Sequence, residues 1–244
     1  MTRMLSALFV MTSCAWGQSF EVASVRLHTE PVRRIGSNLS GPRFTAEAFS
    51  LEGLITYAYD LEDYQVTGVP GWGVSRATPD RYDITAKAAG DATLSREQAK
   101  KLLQSLLAER FQLKFHRESK ELPVYALVVA KNGPKFKESA PEAKSLLTMT
   151  SKNGIEMNVT KGNMAQLARQ FSNSNGVNRP VVDRTGLTGS YDYKLTWTLD
   201  RGALDSDSAA VDIALQEQLG LKLEAAKAPF EMLVVDHAEK PSEN

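Results

Sequence analysis

The apolar positions of the chain follow two spacings, one typical of helices and one typical of strands. In four segments an apolar residue recurs every three or four positions, which predicts four amphipathic helices. The predicted helix faces are Leu51, Leu54, Ile55 and Ala58; Ala99, Leu102, Leu103, Leu106 and Leu107; Met164, Leu167, Ala168 and Phe171; and Val211, Ala214, Leu215 and Leu219. Between these segments, alternating positions and short apolar runs predict strands. The pattern therefore predicts an α+β fold.

Polar residues at fixed offsets predict where the helices begin and where the chain turns. Side chains that can cap a helix precede three of the four segments. These are Ser50 before the first, Ser95 with Gln98 before the second, and Asn163 with Gln166 before the third. Asn153-Gly154, between Leu146–Ser151 and Ile155–Thr160, has the sequence of a two-residue hairpin turn. We therefore expect an antiparallel pair of strands at that point.

The stretch Leu107–Lys131 returns in shortened form at Leu215–His237. In both copies we predict the end of a helix, a strand, a tight connection and a second strand that begins near a proline. A Tyr-Asp pair, Tyr82-Asp83 in one half and Tyr191-Asp192 in the other, occurs at the same place in the element order. Chance similarity between two amphipathic units is the alternative, but these agreements favour an internal duplication.

The duplication predicts a chain of two similar halves. The first half is residues 18–137 and the second is residues 138–244, each with antiparallel strands packed against two amphipathic helices. We expect the backbone of Arg43–Lys131 to superpose on that of Ile155–His237. Residues that both halves share serve the fold, so a functional site is expected among features that only one half has.

The charge balance and the length of the chain limit which partners and folds we expect. The 244 residues include 29 basic and 29 acidic side chains, and 42% of the chain is apolar. No basic excess is present to neutralise a phosphate backbone, so we do not expect a nucleic acid partner. A chain of this length has enough apolar residues to form a substantial core.

The N-terminus resembles a secretory signal peptide. Arg3 supplies a positive charge, Met4–Met11 is a short apolar segment, and Ala15-Trp16-Gly17 has small residues at the usual cleavage positions. We expect cleavage of residues 1–17, a mature chain that begins at Gln18, and a periplasmic or extracellular location. The apolar segment is too short to span a bilayer, and no transmembrane helix is predicted in the mature chain. A slightly apolar cytosolic N-terminus is the alternative.

The single cysteine, Cys14, lies inside this N-terminal segment. Its surroundings resemble a lipoprotein processing site, although Met11 stands where leucine is usual. Lipid attachment at Cys14 would anchor the protein to a membrane, whereas cleavage after Gly17 would release it. We expect release, and a mature chain without a disulfide.

No motif predicts a metal, a cofactor or a catalytic centre. The three histidines are His28, His116 and His237, and the only close cluster of possible ligands is Asp236, His237 and Glu239. Solvated polar residues at the end of a strand explain that cluster as well as a metal site does. The sequence has no His-Glu-x-x-His, Gly-x-Ser-x-Gly or Gly-x-x-x-x-Gly-Lys motif. A catalytic site assembled from distant residues stays open.

An aromatic loop is the candidate binding site in the sequence. Pro70–Asp80 has the glycine and proline content of an irregular loop, and Trp72 lies between two of its glycines near Tyr57, Tyr59 and Tyr64. The second half has only a shorter loop at the corresponding place. Trp and Tyr side chains give large contact areas at low entropic cost, so we predict binding through these four residues. The alternative is that Trp72 covers an apolar helix face.

Several segments in a fixed order resemble a large paralogous family of exported proteins of unknown function, typical of soil acidobacteria. The segments are FEVASVR, YDITAKA, LLAERFQLKFHRESKELPVYALVVAKNGPKF, PVVDRTGLTGSYDYKLTWT and LQEQLGLKLEAAKAPFEMLVVDHAEKP. Related domains occur attached to BlaR-type sensor metallopeptidases, so the resemblance implies a possible role in extracytoplasmic sensing. The element order of each half is also similar to small α+β modules at the N-termini of secretins and TonB-dependent receptors. The family has no established activity, so the resemblance assigns no catalytic residue.

These observations favour an exported binding or protein-interaction module without a cofactor over an enzyme. The expected partner is an unknown protein or another envelope ligand. A cell-envelope hydrolase and an extracytoplasmic sensing domain are the alternatives. A hydrolase would have a cleft with converging polar groups of shifted pKa, whereas a binding module would have an exposed apolar or aromatic patch.

Overall fold

The computed structural model of the protein describes residues 19–75, 79–151, 154–172, 177, 179–198 and 204–242, with only the backbone described for residues 204–208. The predicted signal peptide and Cys14 lie outside the described residues. Helices and mostly antiparallel strands alternate along the described chain, which confirms the predicted α+β class. In the described part of the chain no helix is both long and apolar enough to cross a membrane.

The described residues form four α-helices and twelve strands. The helices are α1 (Leu51–Tyr59), α2 (Arg96–Arg110), α3 (Met164–Ser172) and α4 (Leu204–Ala214), the last followed by a π-helical turn at Leu215–Leu219. The first six strands are β1 (Val22–Leu27), β2 (Gly36–Ser40), β3 (Arg43–Phe49), β4 (Val66–Thr67), β5 (Tyr82–Lys87) and β6 (Lys114–Val129). The other six are β7 (Lys137–Glu138), β8 (Leu146–Thr150), β9 (Ile155–Gly162), β10 (Val181–Asp183), β11 (Tyr191–Trp197) and β12 (Leu221–His237).

Contacts between Cα atoms divide the chain into two compact units. Unit 1 combines Met1–Arg117 with Leu233–Asn244, and unit 2 is Glu118–Met232. The divisions fall within β6 and β12, so each of these strands contributes residues to both units. The division predicted from the sequence, between residues 137 and 138, falls within strand β7 of unit 2.

The two long strands correct one prediction. A tight connection between two short strands was expected in each repeated stretch, but β6 and β12 are continuous strands of 16 and 17 residues. The expected connections, HRESKEL and EAAKA, contain no glycine or asparagine. Without a residue that readily adopts a positive φ, these polar stretches stay extended instead of turning.

Unit 1 contains an antiparallel sheet with the strand order β1-β5-β3-β2. Strand β4 also pairs in parallel with the end of β12, with Val66 opposite Leu233. Helices α1 and α2 bury their apolar faces together with this sheet. The fully buried large side chains of this core include Phe44, Leu51, Leu54, Ile55, Ile84, Leu103, Leu107, Phe111 and Leu233.

Unit 2 contains an antiparallel sheet with the strand order β7-β11-β9-β8. Strand β10 pairs in parallel with the end of β6, with Val181 opposite Tyr125. The apolar faces of α3 and α4 complete a separate core. Its fully buried large side chains include Leu127, Met157, Met164, Phe171, Leu195, Leu215 and Leu221.

The same β-bulge interrupts both sheets. Ala48 at the end of β3 has a φ of 57° and Lys161 at the end of β9 has a φ of 55°, conformations that residues other than glycine rarely adopt. The backbone N–H of Ala48 donates to the Asp83 carboxylate at 2.9 Å, and that of Lys161 donates to Asp192 at 2.9 Å. The aspartate of each Tyr-Asp pair therefore holds the bulge of the neighbouring strand.

Each bulge leads directly into a capped nine-residue helix. Ser50 Oγ accepts a hydrogen bond from Gly53 N–H at the start of α1. At the start of α3, Asn163 and Gln166 bond each other's backbone N–H groups reciprocally. Ser95 and Gln98 do the same for α2, so the predicted caps are confirmed.

The antiparallel pair of strands predicted around Asn153-Gly154 is present in unit 2. Strands β8 and β9 pair from Leu146 opposite Thr160 to Thr150 opposite Glu156. Residues 152 and 153 lie outside the described residues. The register of this pair determines which β8 side chains face helix α3.

Candidate binding site

An apolar groove of about 260 Å³ lies in unit 2, between helix α3 and the sheet at β8 and β9. Apolar and aromatic side chains supply most of its wall. These are Leu146, Leu147, Met157, Val159, Leu167 and Tyr193. The remaining lining residues are Ser145, Gly162, Gln166, Arg169 and Gln170. The groove is thus an apolar surface with polar groups at its helical side.

The strand alternation explains how β8 forms one wall of the groove. Leu147 lies opposite Val159 and Met149 lies opposite Met157, so these two β8 side chains share the sheet face that packs against α3. Gln170 on α3 donates from Nε2 to the Met149 sulfur at 3.4 Å. The helix therefore contacts β8 through an amide, and leaves Leu147 and Met149 about half exposed.

Strand β8 is the edge of its sheet and is exposed along its whole length. Within the described residues its only paired strand is β9. Leu146, Leu147 and Met149 are 57%, 49% and 42% exposed, and the strand LLTMT contains no charge and no proline. Proteins usually protect a sheet edge with lysine, proline or a covering element, because an open edge pairs readily with other strands. Among the residues that the structure describes, β8 has no lysine or proline of its own and no second strand that covers its edge.

The polar groups of the groove are suited to binding. Arg169 is the one charged side chain among the lining residues. Burial raises the pKa of Tyr193 to about 12, so its hydroxyl stays protonated at neutral pH. The groove therefore offers apolar contacts, amide groups, a hydroxyl and one cation, and its described lining has no carboxylate or imidazole to act as a base.

The loop that contains Trp72 forms a short helical turn on unit 1. Gly73 N–H donates to the Pro70 carbonyl at 2.7 Å, and the Trp72 ring is edge-on to Tyr82 at a centroid distance of 6.4 Å. Lys240 lies 5.9 Å from the Trp72 ring centroid and pairs with Asp80 at 2.6 Å. Trp72 is half-buried against the core, and residues 76–78 of the predicted loop lie outside the described residues.

The three predicted tyrosines lie on the same unit as Trp72. Tyr57 packs beside Phe44 and Phe49, at centroid distances of 5.8 and 6.2 Å. Tyr59 meets Phe115 at 4.9 Å, and burial raises the pKa of its hydroxyl.

Tyr64 is partly buried in a 3₁₀ turn at Asp63–Gln65. Tyr57, Tyr59 and Trp72 each have different aromatic neighbours and all three pack against the core of unit 1. Binding through Trp72 and the tyrosines stays a prediction.

His116 and His237 each form an exposed pair with a carboxylate near the C-terminal end of β12. His116 Nδ1 lies 2.8 Å from the Asp236 carboxylate, and His237 Nε2 lies 3.0 Å from Glu239. Asp236 and His237 thus have different partners. No group of three or more possible metal ligands occurs among the described residues.

The third histidine is buried and its role was not recognised in the sequence. The side chain of His28 is only 9% exposed, and its Nδ1 lies 2.9 Å from the carboxylate of Asp83, the aspartate that holds the first bulge. In unit 2 the hydroxyl of Ser139 donates to Asp192 at the corresponding position. The short distance between His28 and Asp83 depends on β1 pairing with β5, which the sequence spacing does not reveal.

The β8 groove was also missed in the sequence analysis. Its one sequence signal is the segment LLTMT, which is apolar and uncharged although it follows a polar linker. Period-two alternation places Leu147 and Met149 on the α3 face, and Leu146 also lines the groove although it alternates with them, at the exposed start of an edge strand. Edge position is a property of the sheet order, and therefore could not be assigned from one strand alone.

The fold and the groove define an α+β protein of two units whose clearest surface feature is an apolar, uncharged sheet edge. Residues 52–238 match the family described as "Protein of unknown function (DUF3738)", and the chain belongs to that family. No curated protein and no solved structure matches the chain.

Proposed function

We propose that the protein is an exported interaction module that binds a partner at strand β8 and the adjoining groove of unit 2, without a cofactor. The observation that carries the proposal is the exposed, uncharged edge strand with three large apolar side chains. Such an edge makes a free protein prone to aggregation, because it can pair with other extended chains. A function in binding explains why the edge is left open.

The size of the groove favours a protein partner over a small ligand. Pockets for drug-sized ligands and cofactors usually have volumes of roughly 300–1,000 Å³ and enclose most of the ligand. The β8 groove, at about 260 Å³, is smaller and opens beside a strand. This shape suits a few side chains of a longer segment that continues along the edge.

The lining of the groove favours binding over the alternative of a hydrolase. A hydrolase needs a base within hydrogen-bonding distance of a nucleophile or a water molecule. The described lining has no Asp, Glu or His, and the buried Tyr193 hydroxyl, with its pKa of about 12, is a poor base. An extracytoplasmic sensing domain would use the same surface as an interaction module, and is included in the proposal.

Export is the second part of the proposal, and rests on the signal-like residues 1–17. Expression of the full chain with export, followed by intact-mass measurement, tests it directly. The expected product begins at Gln18 and is released in soluble form. A product with diacylglycerol on Cys14 would show that the protein is anchored to the membrane and not released. An uncleaved chain would contradict export.

We also propose that the two units arose by duplication of one α+β plan. Support comes from the matching sheet orders, the two positive-φ bulges at Ala48 and Lys161, and the two aspartates that hold them. His28 and Ser139 also contact those aspartates from equivalent strand ends. Under a duplication these shared features serve the fold, whereas the β8 edge is specific to unit 2.

Site-specific cross-linking in the native envelope tests the interaction function. A photo-cross-linking amino acid at Thr148, the central residue of β8, should capture a discrete partner. The same amino acid at Asn38, the central residue of the edge strand β2 in unit 1, is the matched control and should capture none. The Leu147→Lys variant should lose the Thr148 cross-link.

The same experiment decides between the groove and the aromatic loop. Trp72→Ala should leave the Thr148 cross-link unchanged, since Trp72 is already engaged by Tyr82 and Lys240. Capture from position 72, with no capture from 148, would favour the loop and contradict the proposal. Equal capture from 148 and 38 would indicate nonspecific contact.

A further inference from the structure

We propose that strand β8 takes an extended segment of the partner as an added antiparallel or parallel strand, and that this segment has alternating apolar residues and acidic residues at its ends. The inference rests on the proposed interaction function and specifies the chemistry of the partner. Recognition through an added strand combines backbone hydrogen bonds with side-chain pockets for alternate residues.

The backbone of β8 provides the hydrogen bonds. In an antiparallel pair, alternate residues bond the neighbouring strand and the others direct their N–H and C=O groups away from it. β8 pairs with β9 over Leu146–Thr150, and no other pairing of these five residues occurs in the described chain. The outward groups can therefore accept a further strand without loss of an existing bond.

The side chains of β8 determine the alternation of the partner. Leu147 and Met149 point to the α3 face, where the groove continues. A residue of an added strand on that face would contact these two side chains and enter the groove, so it should be apolar. The opposite face carries polar residues such as Asn158 and Lys194, so the intervening residues of the partner can be polar.

The charges around β8 favour acidic ends on the partner. Arg169 lines the groove, and the exposed Lys144 lies two positions before the first residue of the strand. Glu156 lies on the other sheet face and pairs with Lys194 at 2.8 Å.

The same charges argue against a second copy of this chain as the occupant. The β8 strand of a second copy contains no acidic residue, and it would bring a further Lys144 to the same surface.

Three synthetic peptides test the inference with the mature protein. The first has the sequence Asp-Val-Thr-Val-Thr-Val-Asp with blocked ends, the second has Lys in place of both Asp residues, and the third has Pro in place of the central Val. Binding is measured by isothermal titration calorimetry at low and high salt, up to about 1 mM peptide. We expect the first peptide to bind, the second to bind at least about fivefold more weakly, and the third not to bind.

Matched protein variants assign the binding to β8. Leu147→Lys should weaken binding of the acidic peptide at least about tenfold, because the lysine places a charge in the apolar groove. The substitution adds no side chain to the buried core. Ser37→Lys, at the equivalent position of β2, should have no effect. Leu147 is half-exposed, so the variant should fold; if its circular dichroism changes, Met149→Lys replaces it.

Each other outcome contradicts the inference. If the lysine peptide binds as tightly as the acidic peptide, the proposed preference for acidic ends is wrong. If the proline peptide binds equally well, the peptide does not add as a strand. If the acidic peptide does not bind up to about 1 mM, both parts of the inference are wrong. A concentration-dependent dimer that Leu147→Lys dissociates would identify a second copy as the occupant. If the peptides fail while Thr148 still cross-links an envelope partner, the interaction function stands and only this inference falls.

Discussion

Strands β2 and β8 occupy the same place in the two units and differ sharply in sequence. Each is the outer strand of a four-stranded sheet, next to the strand that carries the bulge. β2 has the sequence GSNLS, whereas β8 has the sequence LLTMT. One sheet plan therefore has a polar edge in unit 1 and an apolar edge in unit 2.

The difference supports the proposal that the apolar residues of β8 serve binding and not the fold. Small and polar residues such as those of β2 have low strand propensity and little surface for a further strand. The pair of Arg34 and Glu47 adds charges near that edge, at 3.4 Å. Because β2 completes its sheet with Leu39 as its one large apolar residue, partly buried against the core, the sheet plan does not require the three exposed apolar side chains of β8. Their presence is best explained by contact with another molecule.

The aspartates that hold the bulges allow a second comparison. Asp83 accepts from the buried Ala48 N–H and meets the buried His28, whereas Asp192 accepts from Lys161 N–H and Ser139 in an exposed setting. The same backbone geometry is therefore held by a more buried network in unit 1 than in unit 2. The predictions below test how far this equivalence extends, beginning with the largest expected effect.

The equivalent core positions Phe44 and Met157 should both be essential to stability. Phe44 is fully buried and Met157 is 1% exposed, each on the strand that carries the bulge. Phe44→Ala should lower the free energy of unfolding by about 3–5 kcal/mol and Met157→Ala by about 2–5 kcal/mol. Urea denaturation measures both. A loss below about 1 kcal/mol at either position would show that its core is not packed as described.

Removal of the aspartate should cost more in unit 1 than in unit 2. Asp83→Ala leaves the buried Ala48 N–H and the buried His28 without their partner, which should destabilise the protein by about 1–3 kcal/mol. Asp192→Ala should be less destabilising because water can reach the groups that it leaves. Denaturation of both variants gives the comparison, and a larger loss for Asp192→Ala would contradict it.

A pair of glycine substitutions should reveal the backbone strain at the bulge of β3. Ala48 has a φ of 57°, which costs a residue with a Cβ about 1–2 kcal/mol, whereas Ala46 lies in the regular part of β3. Both alanines are buried, so each substitution loses one buried methyl group. Ala46→Gly should therefore be about 1–2 kcal/mol more destabilising than Ala48→Gly. Equal losses would mean that Ala48 stores no strain.

The smallest expected effect is a dependence of stability on pH from Asp192. The hydrogen bond from Ser139 and then the Lys161 N–H hold the pKa of Asp192 below its ordinary value. A carboxyl group with a lowered pKa stabilises the folded state above the unfolded-state pKa of about 3.9, and this stabilisation is lost as the pH falls through the folded-state pKa. Ser139→Ala should raise the Asp192 pKa in an NMR titration. An unchanged pKa would show that Ser139 has no effect on the carboxyl group.

The sequence was sufficient for the features that depend on local chemistry. The apolar spacing predicted all four helices, and Ser50, Ser95 and Asn163 cap three of them as expected. Asn153-Gly154 predicted the pairing of β8 with β9. In each case the residues that determine the structure lie within a few positions of each other.

The features that the sequence analysis missed depend on contacts between distant segments. Continuous extension of β6 and β12 requires pairing with strands elsewhere in the chain, such as that of β12 with Val66. The pair of His28 and Asp83 joins residues 55 positions apart. The proposed binding surface at β8 depends on sheet order, because the same segment in a central strand would be paired on both sides.

The central claim is that β8, and not its counterpart β2, receives a partner strand. Amide hydrogen exchange of both strands, measured with and without the acidic peptide, tests this claim most directly. The account predicts that alternate amides within Leu146–Thr150 exchange at least about tenfold more slowly when the peptide is bound, because an added strand accepts hydrogen bonds from them. The amides of Gly36–Ser40 should exchange at the same rate with and without the peptide. Slower exchange in β2 or around Trp72, with no change in β8, would contradict the account.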